Sequence, residues 1–254
     1  MGKERLERVE LLIGEENVNL LQTKTVLIAG IGGVGSYAAE ALARTGIGKL
    51  ILLDKDVVSP SNLNRQIMAT RDTINISKCQ AMKERIHSYN PDCEVICKEV
   101  FLDESNLDIV LEADFVIDAI DTVTSKIDLI EKCLSNHIPF ISSLGMGNRL
   151  DPSCVEIRDL FKTEGDPLAK SVRSLVRKRN LKGKILVLFS KEKPIVQNKE
   201  VNPEGKTRKD RIPPASVIFV PAEAGLLAAS YAVRYFIGGK ENEQKENKSS
   251  KNQE

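Results

Sequence analysis

A glycine-rich turn, "GIGGVGS" from Gly30 to Ser36, most constrains what this chain can fold into. It follows the apolar run "TVLIA" and opens into "YAAEALARTG", which has helical periodicity. In such a strand-turn-helix unit the glycines permit a tight turn, close approach of the backbone to phosphate and close packing of the helix. Phosphate would lie on the amides at the helix N-terminus, where the helix dipole favours anions. The unit therefore predicts a nucleotide-binding sheet.

Short apolar runs alternate with longer segments of helical periodicity over the first part of the chain. The runs are rich in β-branched residues, as the buried strands of a parallel sheet are. They read "TVLIAG", "KLILLD", "CEVICKEV", "FVIDAI" and "PFISSL", and helices are predicted between them at 33–45, 76–90 and 123–137. This order predicts an α/β fold with a Rossmann-like, doubly wound and mostly parallel sheet.

The pattern changes after Leu150, where the sequence predicts a C-terminal extension of strands and helices. Its elements are a strand at "CVEIRDL", a basic helix at "DPLAKSVRSLVRKRN", a strand at "KILVLFS" and a last helix over 222–237. Residues 191–214, rich in charge, Gly and Pro, predict a long mobile loop. Residues 238–254 have no apolar anchors, which predicts a disordered tail. The expected organisation is a helical segment at 1–24 and a single domain at 25–237.

The composition is that of an ordinary globular protein, with 41% hydrophobic and 29% charged residues and a formal net charge of +1. The charged start, "MGKERLERVE", does not resemble a secretory signal. The late apolar stretch "AGLLAASYAVRYFI" is shorter than the roughly 20 residues of a membrane span. These features predict a cytoplasmic protein. Five cysteines without a CxxC pair indicate reduced thiols and argue against a zinc site.

Asp54 ends the second predicted strand, 19 residues beyond Gly35. A carboxylate at this place can accept hydrogen bonds from the ribose of a nucleotide. Together with Gly30, Gly32, Gly33 and Gly35 it predicts binding of adenosine phosphates, the alternative being a glycine turn that binds nothing. Two chemistries use such a turn: hydride transfer from a dinucleotide, and cleavage of ATP.

Polar side chains that follow the second and fourth strands separate these chemistries. Asn62, Arg65 and Lys78 add an amide, a forked guanidinium and a point charge, which suit a triphosphate. Asp118 and Asp121 stand at or near the end of the fourth strand, where Asp121 can hold magnesium against phosphate. The set favours ATP cleavage over hydride transfer. Taken singly, Arg65 and Lys78 could be solvated surface charges and Asp121 a helix N-cap.

These residues carry a resemblance to a known superfamily. The run "VLIAGIGGVGSYAAEALARTGIGKLILLDKDVVSPSNLNRQ", with Lys78, "YNPDCEV" and "VIDAIDT", resembles the ubiquitin-activating-like (ThiF-type) adenylating enzymes, which include the activators of sulfur carriers. Within that superfamily, "RLERVELLIGEE", "GMGNRLDPS", "DPLAKSVR" and "PASVIFVPAEAGLLAAS" are most similar to the bacterial tRNA threonylcarbamoyladenosine dehydratases. The similarity runs from about Arg5 to Ile237.

The resemblance implies an ATP- and Mg²⁺-dependent enzyme that adenylates threonylcarbamoyladenosine beside the tRNA anticodon. Ring closure then gives the cyclic nucleoside, with release of AMP and pyrophosphate. The roles it implies for the residues above are nucleotide contact for Gly32 and Gly33, ribose binding for Asp54, β- and γ-phosphate binding for Asn62 and Arg65, α-phosphate binding for Lys78 and magnesium binding for Asp121.

Features outside this set extend the implied site. By similarity to the family's N-terminal arginine, Arg8 would reach the phosphates of a neighbouring subunit, which implies a homodimer; an exposed helix arginine is the alternative. A monovalent cation near "GMGNRLDPS" and a sulfur-transfer or cysteine-desulfurase partner are left open by the sequence. Cys79 adjoins Lys78, so it is either a thiol with a lowered pKa or a small buried helix residue.

The segment from Lys170 to Arg211 concentrates positive charge. It holds fourteen Lys or Arg against four Asp or Glu, a local charge of +10. Such a segment is typical of phosphate-backbone binding, so a tRNA partner is predicted, with contacts from Arg173, Arg177, Lys178 and Arg179. A solvated segment that binds no RNA explains the same charge.

Three other functions stay open at the level of the sequence. The first is adenylation of the C-terminal glycine of a ubiquitin-like sulfur carrier. The second is a nicotinamide-dependent oxidoreductase, and the third is a catalytically silent RNA-binding relative.

Overall fold

The computed structural model describes residues 4–197 and 214–251, and its elements follow the predicted order. The helices are α1 (Glu7–Ile13), α2 (Glu15–Gln22), α3 (Gly35–Thr45), α4 (Lys78–His87), α5 (Val123–Ser135), α6 (Pro167–Lys178) and α7 (Phe219–Lys251). The strands are β1 (Thr25–Ala29), β2 (Lys49–Leu53), β3 (Glu94–Lys98), β4 (Phe115–Asp118), β5 (Phe140–Ser143), β6 (Val155–Asp159) and β7 (Leu186–Ser190). Short 3-10 helices lie in the connections, at Pro60–Asn62, Arg71–Thr73, Leu107–Glu112, Pro152–Cys154 and Leu160–Lys162.

The strands form one seven-stranded sheet in the order β3-β2-β1-β4-β5-β7-β6. All neighbouring pairs are parallel except β6 and β7, which pair antiparallel at one edge. The predicted Rossmann-like, mostly parallel architecture is therefore confirmed. The late strand pair and α7 form the predicted C-terminal extension.

Both faces of the sheet are buried, which explains why its strands read as continuous apolar runs. On β1, Val26 and Ile28 pack into a core with α3, α4 and α7, whereas Leu27 and Ala29 pack into a second core on the opposite face. This division follows from the alternation of side chains along a strand. The helix α5 covers the second face and packs against α6 in a third core.

The strand order places the topological switch point between β1 and β4. From β1 the chain moves outward through β2 to β3, and it then returns to add β4 on the other side of β1. The carboxyl ends of these two strands therefore diverge, and the crevice between them is where open α/β sheets bind ligands. The glycine turn follows β1, and Ala119 to Asp121 follow β4.

The last helix is longer than the sequence predicted. It begins at Phe219 and continues to Lys251, beyond the predicted range 222–237, and the disorder expected for residues 238–254 stays a prediction. The segment "KENEQKENKSSK" is rich in Glu, Lys and Gln, which have high intrinsic helix propensity. Residues 252–254, at the end of the predicted tail, lie outside the described residues.

The two N-terminal helices lie at the amino ends of the central strands. Leu21 of α2 is fully buried, and the side chain of Leu6 packs within 3.2 Å of the Cβ position of Gly46, just beyond α3. Residues 198–213, most of the predicted mobile loop, lie outside the described residues. In the described parts of the chain, no helix has both the length and the apolar character that crossing a membrane requires.

Candidate active site

The glycine turn is shaped by two glycines that no other residue can replace. Gly30 has a φ of +92°, and a Cβ there would lie 2.7 Å from the carbonyl oxygen of Ala119. A Cβ on Gly35, at the start of α3, would lie 1.9 Å from the oxygen of Gly30. By contrast, Gly32 has nothing within 4 Å of its Cβ position. The turn is therefore tight at both ends and open in the middle, where backbone can meet a phosphate.

Asp54 binds the glycine turn directly. Its Oδ2 accepts the amide of Ile31 at 2.7 Å, and its Oδ1 accepts the amide of Asp56 at 2.9 Å. The side chain is only 10% exposed, yet each carboxylate oxygen keeps a second lone-pair direction. Asp54 thus fixes the shape of the turn, a role that the sequence did not predict. Its predicted contact with a ribose stays a prediction.

Lys78, the first residue of α4, is brought to the same place. Its side chain is 9% exposed, with Nζ 2.8 Å from Oδ2 of Asp56 and 3.8 Å from Oδ2 of Asp54. The backbone holds this arrangement too, because the amide of Lys78 donates to the carbonyl of Asp56 at 3.0 Å. Asp56 was missed at the level of the sequence, although its place two residues after Asp54 was the available signal.

Asn62 and Arg65 lie on the connection between β2 and α4. Asn62 is buried, and its Oδ1 accepts the amide of Ser59 at 3.0 Å, which closes a short 3-10 turn. Nη1 of Arg65 donates to the carbonyl of Ser61 at 2.7 Å and to Oδ1 of Asn64 at 2.9 Å. Partial burial lowers the pKa of Arg65, because desolvation disfavours its charge.

The start of α7 closes one side of the glycine turn. A Cβ on Gly33 would lie 3.1 Å from Cβ of Pro221 and 3.7 Å from Cγ of Arg65. Nδ2 of Asn64 donates to the carbonyl of Ser216 at 2.8 Å. These contacts join the turn, the β2–α4 connection and the late crossover. Nothing in the spacing of the sequence showed that residues 216–221 would reach the site.

The two acids after β4 have different surroundings. Asp118 is fully buried, with Oδ2 2.7 Å from Nζ of Lys126 and 2.5 Å from Oγ of Ser142. It is therefore engaged inside the protein rather than available to a ligand. Asp121 is exposed at the carboxyl edge of the sheet, next to the crevice. Among the described residues, no group of three or more His, Cys, Asp or Glu is arranged to hold a metal ion.

A single exposed carboxylate is the donor set that Mg²⁺ uses when phosphate oxygens and water complete its coordination. Asp121 thus fits the predicted magnesium role, which stays a prediction.

Arg8 does not join this set within the chain. It is exposed on α1, and the neighbouring Leu6 packs beside Gly46, at the end of α3 opposite the glycine turn. The eleven residues of α3 separate these ends by about 16 Å. Arg8 could reach a phosphate site only in another subunit, as the resemblance implied, and that role stays a prediction.

The loop "GMGNRLDPS" is held from two directions beside β5. Nη2 of Arg149 lies 2.9 Å from Oδ2 of Asp166, with both side chains buried, and Oδ1 of Asp166 caps α6 through the amide of Ala169. Asn148 has a φ of +60°, and its backbone N–H donates to the carbonyl of Ala215 at 2.6 Å. The loop therefore ties the start of α6 to the crossover that leads into α7.

The four predicted RNA contacts lie away from the nucleotide turn. The helix α6 begins beside Gly145 at the carboxyl edge and runs about 18 Å toward the other edge. Arg173 donates to the carbonyl of Thr163 at 2.9 Å, and Arg179 pairs with Asp128 and Glu131 at 2.6 and 2.8 Å. Arg177 stacks over Phe161, and Lys178 is exposed. Two of the four cations are thus engaged inside the chain; RNA contact by any of them stays a prediction.

Cys79 is a buried helix residue. Its thiol lies 3.4 Å from the carbonyl oxygen of Leu52, and burial raises its pKa well above the usual range. A thiolate is the nucleophilic form of cysteine, so Cys79 does not have the surroundings of a reactive thiol. Of the two interpretations of Cys79 that the sequence allowed, the small buried helix residue is the correct one.

The fold and the crevice define a nucleotide-binding α/β protein of the adenylating type, with a carboxylate after β2 and cations beside the glycine turn. Comparison with known proteins gives the family. The ThiF family profile matches residues 5–253, and the chain belongs to the ThiF family. The resemblance predicted from the sequence is therefore confirmed.

Relatives of known function match over nearly the whole chain. The tRNA threonylcarbamoyladenosine dehydratase of Bacillus subtilis (strain 168) is 44% identical over 236 residues, which cover 90% of this chain and 93% of that protein. The enzyme of the same name from Escherichia coli (strain K12) is 36% identical and covers 91% and 93% of the two chains. The crystal structure of the E. coli dehydratase, TcdA, in complex with ATP superposes with a TM-score of 0.84 at 35% identity, covering 94% and 96% of the chains.

Proposed function

We propose that this protein is an ATP-dependent tRNA threonylcarbamoyladenosine dehydratase. The observation that carries the proposal is the meeting of the open glycine turn, Arg65 and Lys78 in one crevice of a chain 44% identical to a dehydratase of that name. A relative with the same fold has been crystallised with ATP. Hydride transfer does not need this group of cations, so the oxidoreductase alternative is less well supported.

The reaction activates a poor electrophile. A carboxylate oxygen of the threonyl group attacks the α-phosphorus of ATP, a new P–O bond forms, and the bond to pyrophosphate breaks. The ureido nitrogen of the same nucleoside then attacks the acyl carbon, loses its proton, and the C–O bond to AMP breaks. One oxygen of the carboxylate leaves with AMP, so the net change in the nucleoside is the loss of water.

The residues of the crevice support these steps through charge. The open amides at Gly32 and Gly33 face the phosphates, and Asp54 receives the ribose hydroxyls while it fixes the turn. Lys78 would exchange part of its contact with Asp56 for the α-phosphate, where negative charge increases as pyrophosphate leaves. The guanidinium of Arg65 and the amide of Asn62 would bind the β- and γ-phosphates.

Asp121 would hold Mg²⁺ against the phosphate oxygens, and the metal would supply charge neutralisation for the leaving pyrophosphate. A monovalent cation near "GMGNRLDPS" is a further proposal that this geometry does not support, because Nη1 of Arg149 already donates to the carbonyls of Gly145 and Gly147. The reaction joins AMP to an acid before the ring closes, so the enzyme is of the ligase type.

The assembly and its partners complete the proposal. The substrate is tRNA, bound in part by the basic end of α6, and the enzyme acts in the cytoplasm as a homodimer. In the dimer, Arg8 of each subunit would reach the phosphates of the other. A sulfur-transfer or cysteine-desulfurase partner is a further proposal that only the resemblance supports.

The test is to incubate the protein with labelled ATP, Mg²⁺ and either threonylcarbamoyl-modified tRNA or a ubiquitin-like sulfur carrier. We expect AMP only with the modified tRNA, and mass spectrometry of the digested tRNA should show the nucleoside with one water lost. AMP formed only with the carrier would assign the protein to the sulfur-carrier activators. Binding of tRNA without AMP from either substrate would indicate a catalytically silent RNA-binding protein.

A further inference from the structure

A fully buried lysine lies directly behind the crevice. Neither Lys126 of α5 nor Asp118 at the end of β4 has an exposed side-chain surface. Nζ of Lys126 donates to Oδ2 of Asp118 at 2.7 Å, to Oγ of Ser142 at 3.2 Å and to the carbonyl of Ser143 at 2.9 Å. The three protons of the ammonium group therefore have three acceptors. The network joins α5 to the carboxyl ends of β4 and β5.

The side chain of Asp118 also holds the backbone that follows β4. Its Oδ1 accepts the amide of Ile120 at 3.0 Å, and the amide of Ala119 donates to the carbonyl of Ala29 on β1 at 2.8 Å. Two successive amides after β4 are thus held from different sides. The next residue is Asp121, so these bonds hold the backbone that leads directly into Asp121.

The same backbone forms a wall of the glycine turn. The carbonyl oxygen of Ala119 lies 2.7 Å from the Cβ position of Gly30, which leaves no free space between the two segments. Any shift of residues 119–121 would therefore move the turn as well as Asp121. Loss of the buried network would therefore displace both residues 119–121 and the glycine turn.

A buried ion pair is an expensive way to gain stability, because desolvation offsets much of its attraction, and apolar side chains often replace it without loss. We propose that Lys126 is a positioning residue, which fixes residues 119–121 through Asp118 so that Asp121 faces the phosphates. This inference rests on the proposed function, since it assigns Asp121 to the metal and phosphate site. Lys126 itself touches no substrate, because its side chain is fully buried.

The experiment removes both charges of the pair at once. In the double variant Lys126→Met and Asp118→Asn, no unpaired charge is left in the core, and the amide oxygen at position 118 can still accept a hydrogen bond. ATP affinity is measured by calorimetry with and without Mg²⁺, and thermal stability is measured in parallel. We expect about tenfold weaker ATP binding with Mg²⁺ and a smaller loss without it, because misplacement of Asp121 acts through the metal.

A matched control removes a cation from another mostly buried carboxylate. Nε of Arg85 lies 2.9 Å from Oε2 of Glu40, between α3 and α4, and Glu40 is 8% exposed. Arg85→Met should lower the melting temperature while ATP affinity stays within about twofold of the wild type, since Arg85 has no bond to residues 119–121. A purely structural role for Lys126 predicts this same behaviour for the double variant.

ATP affinity of the folded double variant within twofold of the wild type would overturn the inference. So would an equal loss with and without Mg²⁺. Where the double variant does not fold, Ser142→Ala decides, because it removes the two bonds that the hydroxyl of Ser142 makes with Lys126 and Asp118 and keeps the ion pair. A threefold or greater, Mg²⁺-dependent loss supports the inference and no loss overturns it. Wild-type protein that fails to bind ATP is a different result, which would reject the proposed function itself.

Discussion

Two basic regions of this chain look alike in the sequence and differ in the structure. The connection between β2 and α4 carries Arg65 and leads into Lys78, the first residue of α4. The side chain of Arg65 is partly buried beside the glycine turn, and that of Lys78 is mostly buried there. The helix α6 carries a denser set of cations at its far end, on the surface. In the first region, Nζ of Lys78 lies 2.8 Å from Oδ2 of Asp56, and Nη1 of Arg65 donates to the carbonyl of Ser61 and to Oδ1 of Asn64. In the second, Arg173 and Arg179 are engaged by groups of the chain itself.

The difference shows that counting charges overstates a binding surface. A surface cation attracts phosphate less when neighbouring carboxylates already balance its charge, and Arg179 lies within 3 Å of two carboxylates. The comparison therefore predicts that the small set near the turn controls chemistry, and that only Arg177 and Lys178 of the four predicted RNA contacts act on tRNA. Each of the following variants changes either the region beside the glycine turn or the basic helix α6.

The largest effect is expected from the region beside the turn. Arg65→Ala should reduce AMP formation by at least about 10³-fold, because a guanidinium that binds a leaving phosphate group stabilises the transition state by that order. Asp121→Ala should act similarly. Circular dichroism should show an intact fold in both, and Arg71→Ala, an exposed arginine on the same connection, should keep near-normal turnover. Turnover near that of the wild type in Arg65→Ala would show that the phosphates bind elsewhere.

Two glycine substitutions separate the shape of the turn from its contact with nucleotide. Gly35→Ala places a methyl group 1.9 Å from the oxygen of Gly30, so we expect a loss of roughly 3 kcal/mol or more in the free energy of unfolding. Gly32→Ala meets no atom within 4 Å and should leave stability nearly unchanged while it weakens ATP binding. Urea unfolding and ATP titration check both. Equal ATP affinity in Gly32→Ala and the wild type would contradict the predicted contact.

A smaller effect is expected at the end of α6. Replacing Arg177 and Lys178 together by Glu should weaken tRNA binding by about tenfold or more and flatten its dependence on salt, because fewer counterions are released. Filter binding at several salt concentrations measures both quantities. AMP formation at saturating tRNA should be unaffected, since these residues are remote from the turn. No change in affinity or in the salt slope would exclude this end of the helix from the RNA site.

The smallest effect is expected from Arg179→Ala. Its ion pairs with Asp128 and Glu131 are partly exposed, so the free energy of unfolding should fall by no more than about 1 kcal/mol. Affinity for tRNA should stay within about twofold of the wild type, because the two carboxylates already neutralise this side chain. A loss as large as that of the Arg177 and Lys178 variant would mean that tRNA displaces the acids, and the distinction between engaged and available cations would fail.

The sequence by itself determined the order of the elements and the place of the nucleotide turn. Apolar runs of strand length, separated by helical segments, allow few arrangements other than a doubly wound sheet. The glycine spacing and the place of Asp54 at the end of a strand belong to one continuous strand-turn-helix-strand stretch, so their positions could be read from the sequence. The sequence prediction ended the last helix at Ile237 because the apolar periodicity ends there, whereas helix propensity does not depend on apolar periodicity.

Only the tertiary structure decided which charged groups are buried and which are exposed. Asp118 and Asp121 are three residues apart and equally acidic in the sequence, yet one is fully buried against Lys126 and the other is exposed. The contacts of Pro221 with the glycine turn and of Asn64 with Ser216 join segments far apart in the chain. The energy of a charge depends on its solvent exposure and its neighbours, and packing brings those neighbours from anywhere along the chain. No pattern confined to one stretch of sequence can contain that information.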